Sequence, residues 1–188
     1  MAHTYSNLLT HFVFSTKDRV PTLELDLKQR LFPYMGGIVR ELGSVALSIN
    51  GPTDHIHILA SLPAKLAPAE LVGKVKANST GWIHKEFAQS RSFSSQTGYA
   101  AFGVSHSQIQ AVLEYIANQE EHHRRISFKE ELIALLKKHE IEYDERSMGL
   151  GIRIVESFLS PHPGLGLFWY VVPRLTPWAT LWRRSAAH

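Results

Sequence analysis

The sequence predicts an α+β domain, a split βαβ sandwich in which helices cover one face of an antiparallel sheet. Segments typical of strands and helices follow one another in the order β-α-β-β-α-β-α-α. The second and third strands are separated by five residues, 50–54, which begin with the turn residues Asn50, Gly51 and Pro52, and this short connection predicts a hairpin. A further helix after the fourth strand carries a tyrosine, Tyr115.

Hydrophobic spacing identifies the individual elements. Four segments rich in apolar, aromatic or β-branched residues predict strands: 6–15, 45–49, 55–62 and 99–104. Four segments with apolar residues at helical spacing predict helices: 25–42, 68–87, 108–123 and 127–139. Pro33 is expected to bend or interrupt the first helix. Ser127 and Glu130 resemble a capping box at the start of the last one.

Composition and charge divide the chain near Arg146. Residues 1–146 hold 16 Lys or Arg and 16 Asp or Glu, so the net charge of +3 comes from residues 147–188. Charge alone therefore does not indicate that the body binds DNA. We expect a catalytic domain over 1–146 and an atypical tail over 147–188. The tail has no periodic pattern and is expected to be poorly ordered, although a DNA-contacting extension is the alternative.

The chain has the features of a cytoplasmic protein. It contains no cysteine, which excludes disulfides and thiolate metal sites. Its N-terminus has no basic region followed by an apolar run, and its longest strongly apolar stretch, 165–172, is much shorter than the ~20 residues that span a bilayer. We expect no membrane partner.

His55 and His57 form the clearest chemical pattern in the sequence. They lie two residues apart in the third predicted strand, so both side chains project from one face while Ile56 and Ile58 pack on the other. Two imidazoles on one face can chelate a divalent ion if another ligand comes from a different element. The same spacing also fits two polar residues on a solvated face, and His-x-His alone leaves both interpretations open.

Tyr115 and Gln119 form the second pattern. They are four residues apart in the helix predicted over 108–123, which makes their side chains neighbours. Tyr115 lies about 120° from the centre of the apolar stripe of this helix, on a shoulder from which a phenol can reach a cleft. An interfacial tyrosine with a solvated hydroxyl fits the same position.

Together the two patterns resemble the single-tyrosine HUH transposases of small insertion sequences, the group that includes the REP-associated tyrosine transposases. The resemblance rests on His55-x-His57 in a strand and Tyr115-x-x-x-Gln119 in a later helix. It extends over residues 4–146 through four segments in the same order and spacing: STKDR (15–19), NGPTDHIH (50–57), GYAAFGVS (98–105) and YIANQEEHH (115–123).

The resemblance implies a ferredoxin-like homodimer that cleaves and rejoins single-stranded DNA at element ends folded as hairpins. It implies that His55, His57 and Gln119 bind Mg²⁺ or Mn²⁺, and that Tyr115 attacks a phosphodiester to form a covalent 5′-phosphotyrosine. It also implies that each site combines the His pair of one subunit with the tyrosine helix of its partner. A metal suits this chemistry because a phenol with a pKa near ~10 is a weak nucleophile while it is protonated.

Weaker candidates and alternative functions accompany this hypothesis. Lys74, Lys76 and His122 are candidate DNA contacts, although a solvated surface explains them equally well. His11, on the first strand, is expected to be structural. One alternative is a decayed or domesticated, non-catalytic ferredoxin-like protein that binds nucleic acid. The other is a metal-dependent hydrolase whose His pair activates water, with Tyr115 merely structural.

Overall fold

The structure is a computed structural model that describes residues 5–144. The strands are β1 Leu8–Ser15, β2 Val45–Asn50, β3 His55–Leu62 and β4 Ala100–Gly103. The helices are α1 Leu25–Glu41, α2 Pro68–Glu86, α3 Ile109–Ala117, α4 Gln119–His122 and α5 Phe128–Lys138. The predicted tail, 147–188, lies outside the described residues, and its boundary remains a prediction.

The four strands form one antiparallel sheet in the order β2-β3-β1-β4. This is the split βαβ topology, since β3 lies between β1 and β2, and it confirms the predicted fold class. The β2–β3 hairpin is present, and its register pairs Asn50 with His57. β1 pairs with β3 along its full length, from Leu8 opposite Leu62 to Ser15 opposite His55. The His pair therefore lies on a central strand.

Helices α1 and α2 cover one face of the sheet. Phe12, Phe14, Ile56 and Ile58 project from the central strands into this main core. The helices contribute a buried set of apolar residues: Leu27, Leu31, Met35, Ile38, Val39, Leu71, Val72, Val75 and Ile83. The expected interruption at Pro33 is wrong, because α1 runs without a break through that residue. Packing on both sides of Pro33 outweighs the hydrogen bond that proline cannot donate.

Helices α3, α4 and α5 lie on the second face, whereas the sequence prediction assigns helices to one face and leaves the tyrosine helix unplaced. Phe128, Leu132 and Leu136 of α5 pack against Val13 and Phe102 of the sheet. The predicted capping box is present, because the Ser127 hydroxyl accepts from the Glu130 backbone and the Glu130 carboxylate accepts from the Ser127 backbone. This second layer encloses the strand face that carries both histidines.

The helix predicted over 108–123 is not continuous. A 3₁₀ turn over His106–Gln108 precedes α3, and α3 ends before Asn118, whose φ and ψ of −96° and 19° are not helical. The Asn118 side chain donates 2.9 Å to the carbonyl of Glu114, a local bond that competes with continuation of the helix. No helix in the described part of the chain is long and apolar enough to cross a membrane.

Candidate metal and nucleophile site

His55 and His57 are completely buried between the sheet and the second helix layer. Their ring centroids are 5.0 Å apart, as expected for side chains on one face of β3. The Nδ1 atom of His55 lies 2.7 Å from an Asp54 carboxylate oxygen, and Nδ1 of His57 lies 2.9 Å from Nε2 of His11. Both rings therefore present Nε2 to the same space. Hydrogen bonds at the other ring nitrogen fix metal-ligating histidines in this manner.

His11 is thus more than a core residue. It is 3% exposed, and burial lowers its pKa to about 3, so it is neutral and its Nε2 can accept the Nδ1–H of His57. When His57 donates in this bond its Nε2 is left free, and in that tautomer His11 supports the candidate ligand. In the sequence, His11 is marked only by its position in the first predicted strand. That position predicts contact with His57 only after the β1–β3 pairing is known.

Tyr115 lies over the His pair of its own chain. Its ring centroid is 5.9 Å from that of His57 and 6.1 Å from that of His11. Asn50, the last residue of β2, holds α3 in this position because its side-chain amide donates 2.9 Å to the Ile116 carbonyl and 3.1 Å to the Ala117 carbonyl. In the described chain Tyr115 and the His pair thus lie together within one subunit, and the expected sharing of the tyrosine helix between subunits stays a prediction.

Gln119 remains beside Tyr115 although the helix breaks between them. It is completely buried, and its amide nitrogen lies 3.5 Å from the Tyr115 carbonyl. The same nitrogen donates 3.0 Å to a carboxylate oxygen of Glu131, and the Gln119 carbonyl oxygen has no hydrogen-bond partner. Lys28 of α1 pairs with the neighbouring Glu120, which anchors the start of α4.

Glu131 lies at the centre of the site, and the sequence reasoning missed it. This α5 residue is 2% exposed, and one of its oxygens accepts from the Tyr115 hydroxyl. Its other oxygen lies 3.4 Å from Nε2 of His55, 3.5 Å from Nε2 of His57 and 3.2 Å from Nε2 of His123. The available signal was position, because a carboxylate three residues after Phe128 and adjacent to Leu132 falls on the apolar face of α5.

The side chains of His55, His57, His123 and Glu131 can hold a metal ion. One donor atom from each lies within 4.8 Å of the others. The Nε2 atoms of all three histidines are buried without a hydrogen-bond partner. Buried polar atoms are seldom left unpaired, and imidazole nitrogens and carboxylate oxygens are common ligands of divalent metals. The donor set therefore fits a divalent metal.

Burial and charge set the protonation of the site. Burial lowers the pKa of His57 to about 4, so its ring is a neutral ligand near pH 7. Burial opposes the charge of His55 too, but the hydrogen bond to Asp54 and the nearby negative charge of Glu131 outweigh it and raise the His55 pKa. Burial and then the Glu131 carboxylate raise the pKa of Tyr115. Burial opposes the charge of Glu131, but its interactions with the surrounding histidines outweigh that effect and lower its pKa, so the carboxylate stays ionised.

The candidate DNA contacts lie in different places. His122 is beside the site, with its ring centroid 5.2 Å from that of Tyr115. Lys74 and Lys76 belong to α2, which packs on the opposite face of the sheet. Lys76 donates to the carbonyls of Gln96 and Gly98, and burial lowers its pKa to about 8. The structure does not bring these two lysines to Tyr115.

A cavity of about 590 Å³ opens beside Tyr115. It lies between the β4–α3 connection and α5, and Tyr115, His122 and Glu131 reach its wall. Lys138 and His139 also line it. The cavity therefore places Tyr115 and Glu131 beside an open space whose wall also carries a cationic side chain, Lys138.

Comparisons with known proteins identify a matching family and a shared fold. Residues 4–119 match the family model described as "Transposase IS200 like". A crystal structure from Deinococcus radiodurans R1, provisionally assigned as a transposase, superposes with a TM-score of 0.53 at 18% identity, covering 63% of this chain and 95% of that one. A REP-associated tyrosine transposase bound to a REP hairpin gives 0.51 at 13% identity, covering 65% and 73%. At these identities the two structures show a shared fold. No curated protein matches the chain significantly.

Proposed function

This chain belongs to the IS200-like transposase family, and on that premise we propose that it cleaves and rejoins single-stranded DNA through a covalent bond to Tyr115. The observation that carries the proposal is the contact of the Tyr115 hydroxyl with Glu131, whose other oxygen faces the Nε2 atoms of His55 and His57. A nucleophile and a set of metal donors thus share one buried site. Substrates are the ends of the element, folded as hairpins like the one bound by the REP-associated relative.

The proposed reaction exchanges one phosphodiester for another. The Tyr115 oxygen bonds to the scissile phosphorus, the bond from phosphorus to the 3′ oxygen breaks, and the DNA leaves a free 3′-OH and a 5′-phosphotyrosine. The Tyr115 proton passes to the surrounding water, and the 3′ oxygen takes a proton from it. Since the phosphotyrosine conserves the bond energy, attack by a 3′-OH can reverse the step and join new ends without a nucleotide cofactor.

A divalent metal, Mg²⁺ or Mn²⁺, belongs in this site and would be held by His55 and His57, with Gln119 as the third ligand implied by the resemblance. When bound, it supplies charge that polarises the phosphate and stabilises the developing oxyanions. The chain's own residues do the remaining work. Asp54 and His11 hold the two imidazoles in the ligating tautomer, and Asn50 fixes the end of the tyrosine helix.

Formation of a covalent adduct tests the proposed nucleophile. We expect labelled single-stranded element ends incubated with the protein and Mn²⁺ to give a protein–DNA adduct that survives denaturing electrophoresis. Tyr115→Phe should abolish it while hairpin binding persists, because only a hydroxyl is lost. Tyr99→Phe is the matched control, since Tyr99 packs against Phe12 on the opposite face. An adduct of undiminished yield from Tyr115→Phe would refute the assignment.

Metal removal tests the role of the His pair and separates the alternatives. EDTA and His57→Ala should each stop cleavage, and Mn²⁺ should restore it only in the unmodified protein. Binding should persist, because contacts to phosphates dominate affinity for DNA. A hydrolase would instead cleave the DNA without forming an adduct. A non-catalytic binder would neither cleave the DNA nor form an adduct. Unchanged cleavage after chelation would show that the histidines are structural.

Subunit mixing tests where the site is assembled. The homodimer implied by the resemblance remains a prediction, and the position of Tyr115 supports a site complete within each chain. Tyr115→Phe and His57→Ala proteins should each be inactive. In a mixed dimer of cis sites every site keeps one lesion, so we expect no cleavage after subunit exchange. Recovery of cleavage, with heterodimers verified by differential tags, would establish sharing between subunits.

A further inference from the structure

Glu131 is a buried carboxylate that contacts Tyr115 but has no assigned part in the phosphodiester exchange. It lies on α5, beyond the 4–119 range matched by the family model, and it is 2% exposed. Placing an ionised carboxylate in a protein interior is costly unless charge or hydrogen bonds compensate it. One oxygen is compensated by donors from Tyr115 and Gln119, whereas the other, Oε2, has no hydrogen-bond partner.

Three imidazoles aim at that unpaired oxygen. The Nε2 atoms of His55, His57 and His123 lie 3.2–3.5 Å from Glu131 Oε2, at or beyond the upper end of the usual hydrogen-bond range of ~2.7–3.2 Å. The other nitrogen of each ring is already bonded: His55 to Asp54, His57 to His11, and His123 to the carbonyl of Ile126 at 2.9 Å. All three rings are therefore fixed with Nε2 inward, the arrangement typical of metal-ligating histidines.

This geometry needs a cation at its centre. A carboxylate offers no proton, so neutral rings whose Nδ1 carries the hydrogen point their Nε2 lone pairs at an anion. Even if one ring were protonated, the lone pairs of the other two would still face the negative oxygen. A divalent ion among the four donor atoms, which lie within 4.8 Å of one another, removes the repulsion and uses every unpaired atom of this set.

We infer that Glu131 and His123 complete the metal site with His55 and His57, so that this chain holds its metal with three imidazoles and one carboxylate. The inference rests on the proposed function for the presence of a metal, and it replaces Gln119 as a ligand. Gln119 instead donates to Oε1 of Glu131 and holds the carboxylate in position. Such a nitrogen-rich set suits a transition ion such as Mn²⁺, Co²⁺ or Zn²⁺ better than Mg²⁺, which prefers oxygen ligands.

The same side chain then ties the nucleophile to the metal. Oε1 accepts the Tyr115 hydroxyl while Oε2 belongs to the donor set, so one carboxylate spans both parts of the site. The position of the Tyr115 oxygen therefore depends on α5, because that helix carries Glu131. Glu131 acts on Tyr115 as a positioning residue in addition to its role as a ligand.

Metal affinity of the DNA-free protein tests the inference without reference to activity. The free Mn²⁺ signal in electron paramagnetic resonance gives the dissociation constant as protein is titrated. We expect Glu131→Gln and His123→Ala each to weaken Mn²⁺ binding by at least about tenfold, since loss even of second-shell partners costs 10–100-fold. Gln119→Ala should weaken it less than either. Mg²⁺ should displace Mn²⁺ only at large excess.

Two matched controls accompany these variants. Glu130→Gln changes the adjacent carboxylate, which faces solvent and can keep its capping role as glutamine. His106→Ala removes an exposed histidine from the turn before α3. Both should bind Mn²⁺ as the unmodified protein does. Wild-type affinity in Glu131→Gln and His123→Ala, together with a loss in Gln119→Ala, would overturn the inference while leaving the proposed nucleophile and His pair intact.

A measurement on the unmodified protein tests the inference without relying on the folding of any variant. X-ray absorption of the Zn²⁺-loaded protein counts coordinated imidazoles through their multiple-scattering features. Three imidazoles and an oxygen ligand are expected. Two imidazoles with the remaining ligands all oxygen would contradict the assignment of His123, and an absence of Zn²⁺ and Mn²⁺ binding would contradict the site itself. The adduct assay judges the proposed function separately in each case.

Discussion

Gly51 is the residue at which one added methyl group should disturb the site most. A Cβ atom there would lie 2.1 Å from the backbone oxygen of His55 and 3.1 Å from the Cα atom of Ile56. Because Cβ atoms essentially never approach other atoms closer than 3.0 Å, the two segments must separate by about 0.9 Å. The His55 backbone cannot yield freely, since it is paired with Ser15 on β1. Gly51→Ala therefore forces a shift of the His55 backbone, the first residue of the His pair.

The expected cost follows from this overlap. Inserting a methyl group into a packed site costs about 1–3 kcal/mol of stability, and a displacement near 1 Å in a reacting constellation costs about 100-fold in rate. Urea unfolding in EDTA measures the first effect, and the rate of adduct formation with Mn²⁺ measures the second. Gly81→Ala on α2 is the control, because a Cβ there meets nothing within 4 Å and should be neutral or stabilising by up to ~1 kcal/mol. Gly51→Ala matching the wild type in both assays would refute the reasoning.

Three further outcomes follow from the structure. Asn50→Ala removes two bonds to the end of α3 and should cost about 1–2 kcal/mol in urea unfolding and slow adduct formation, while Mn²⁺ affinity stays unchanged. Because the folded-state pKa of His57 is lowered to about 4 from 6.5, the unfolded chain binds the extra proton first as pH falls. The free energy of unfolding in EDTA should therefore decrease between pH 6.5 and 4, by up to about 3 kcal/mol from this group, and less steeply in His57→Gln. Truncation after Arg146 should leave a folded domain by circular dichroism, because within the described residues 5–144 the two core clusters form between Phe12 and Leu136. An unfolded product would show that the tail packs on the body.

Much of the fold could be predicted because its signals are local. The bounds of β3 agree with the sequence prediction, since an apolar run closed by turn residues marks the hairpin and its strands. The capping box at Ser127 was equally visible, because its two partners are three residues apart. The common face of His55 and His57 follows from strand geometry alone. Periodicity failed at Asn118, where a side-chain bond to the backbone ends the helix that the apolar stripe would continue.

The site could be predicted only in part, because its remaining members come from separate elements. His11 and Glu131 have no spacing relation to His57 in the sequence, and their contacts arise from the β1–β3 pairing and from the docking of α5 on the second face. Lys76 shows the same limit from the other side: its DNA contact stays a prediction, while the structure shows its ammonium donating to the carbonyls of Gln96 and Gly98. Local sequence indicates which atoms a residue offers, whereas tertiary packing decides what they meet.

The residue linked to DNA is the most direct measure of the central claim that Tyr115 is the nucleophile of this site. The adduct formed with single-stranded element ends and Mn²⁺ can be digested with nuclease and trypsin and analysed by mass spectrometry. We expect the nucleotide remnant on the peptide that contains Tyr115, joined through its phenolic oxygen, and no remnant when EDTA replaces Mn²⁺. A remnant on any other residue, or cleavage without a covalently linked peptide, would contradict the account.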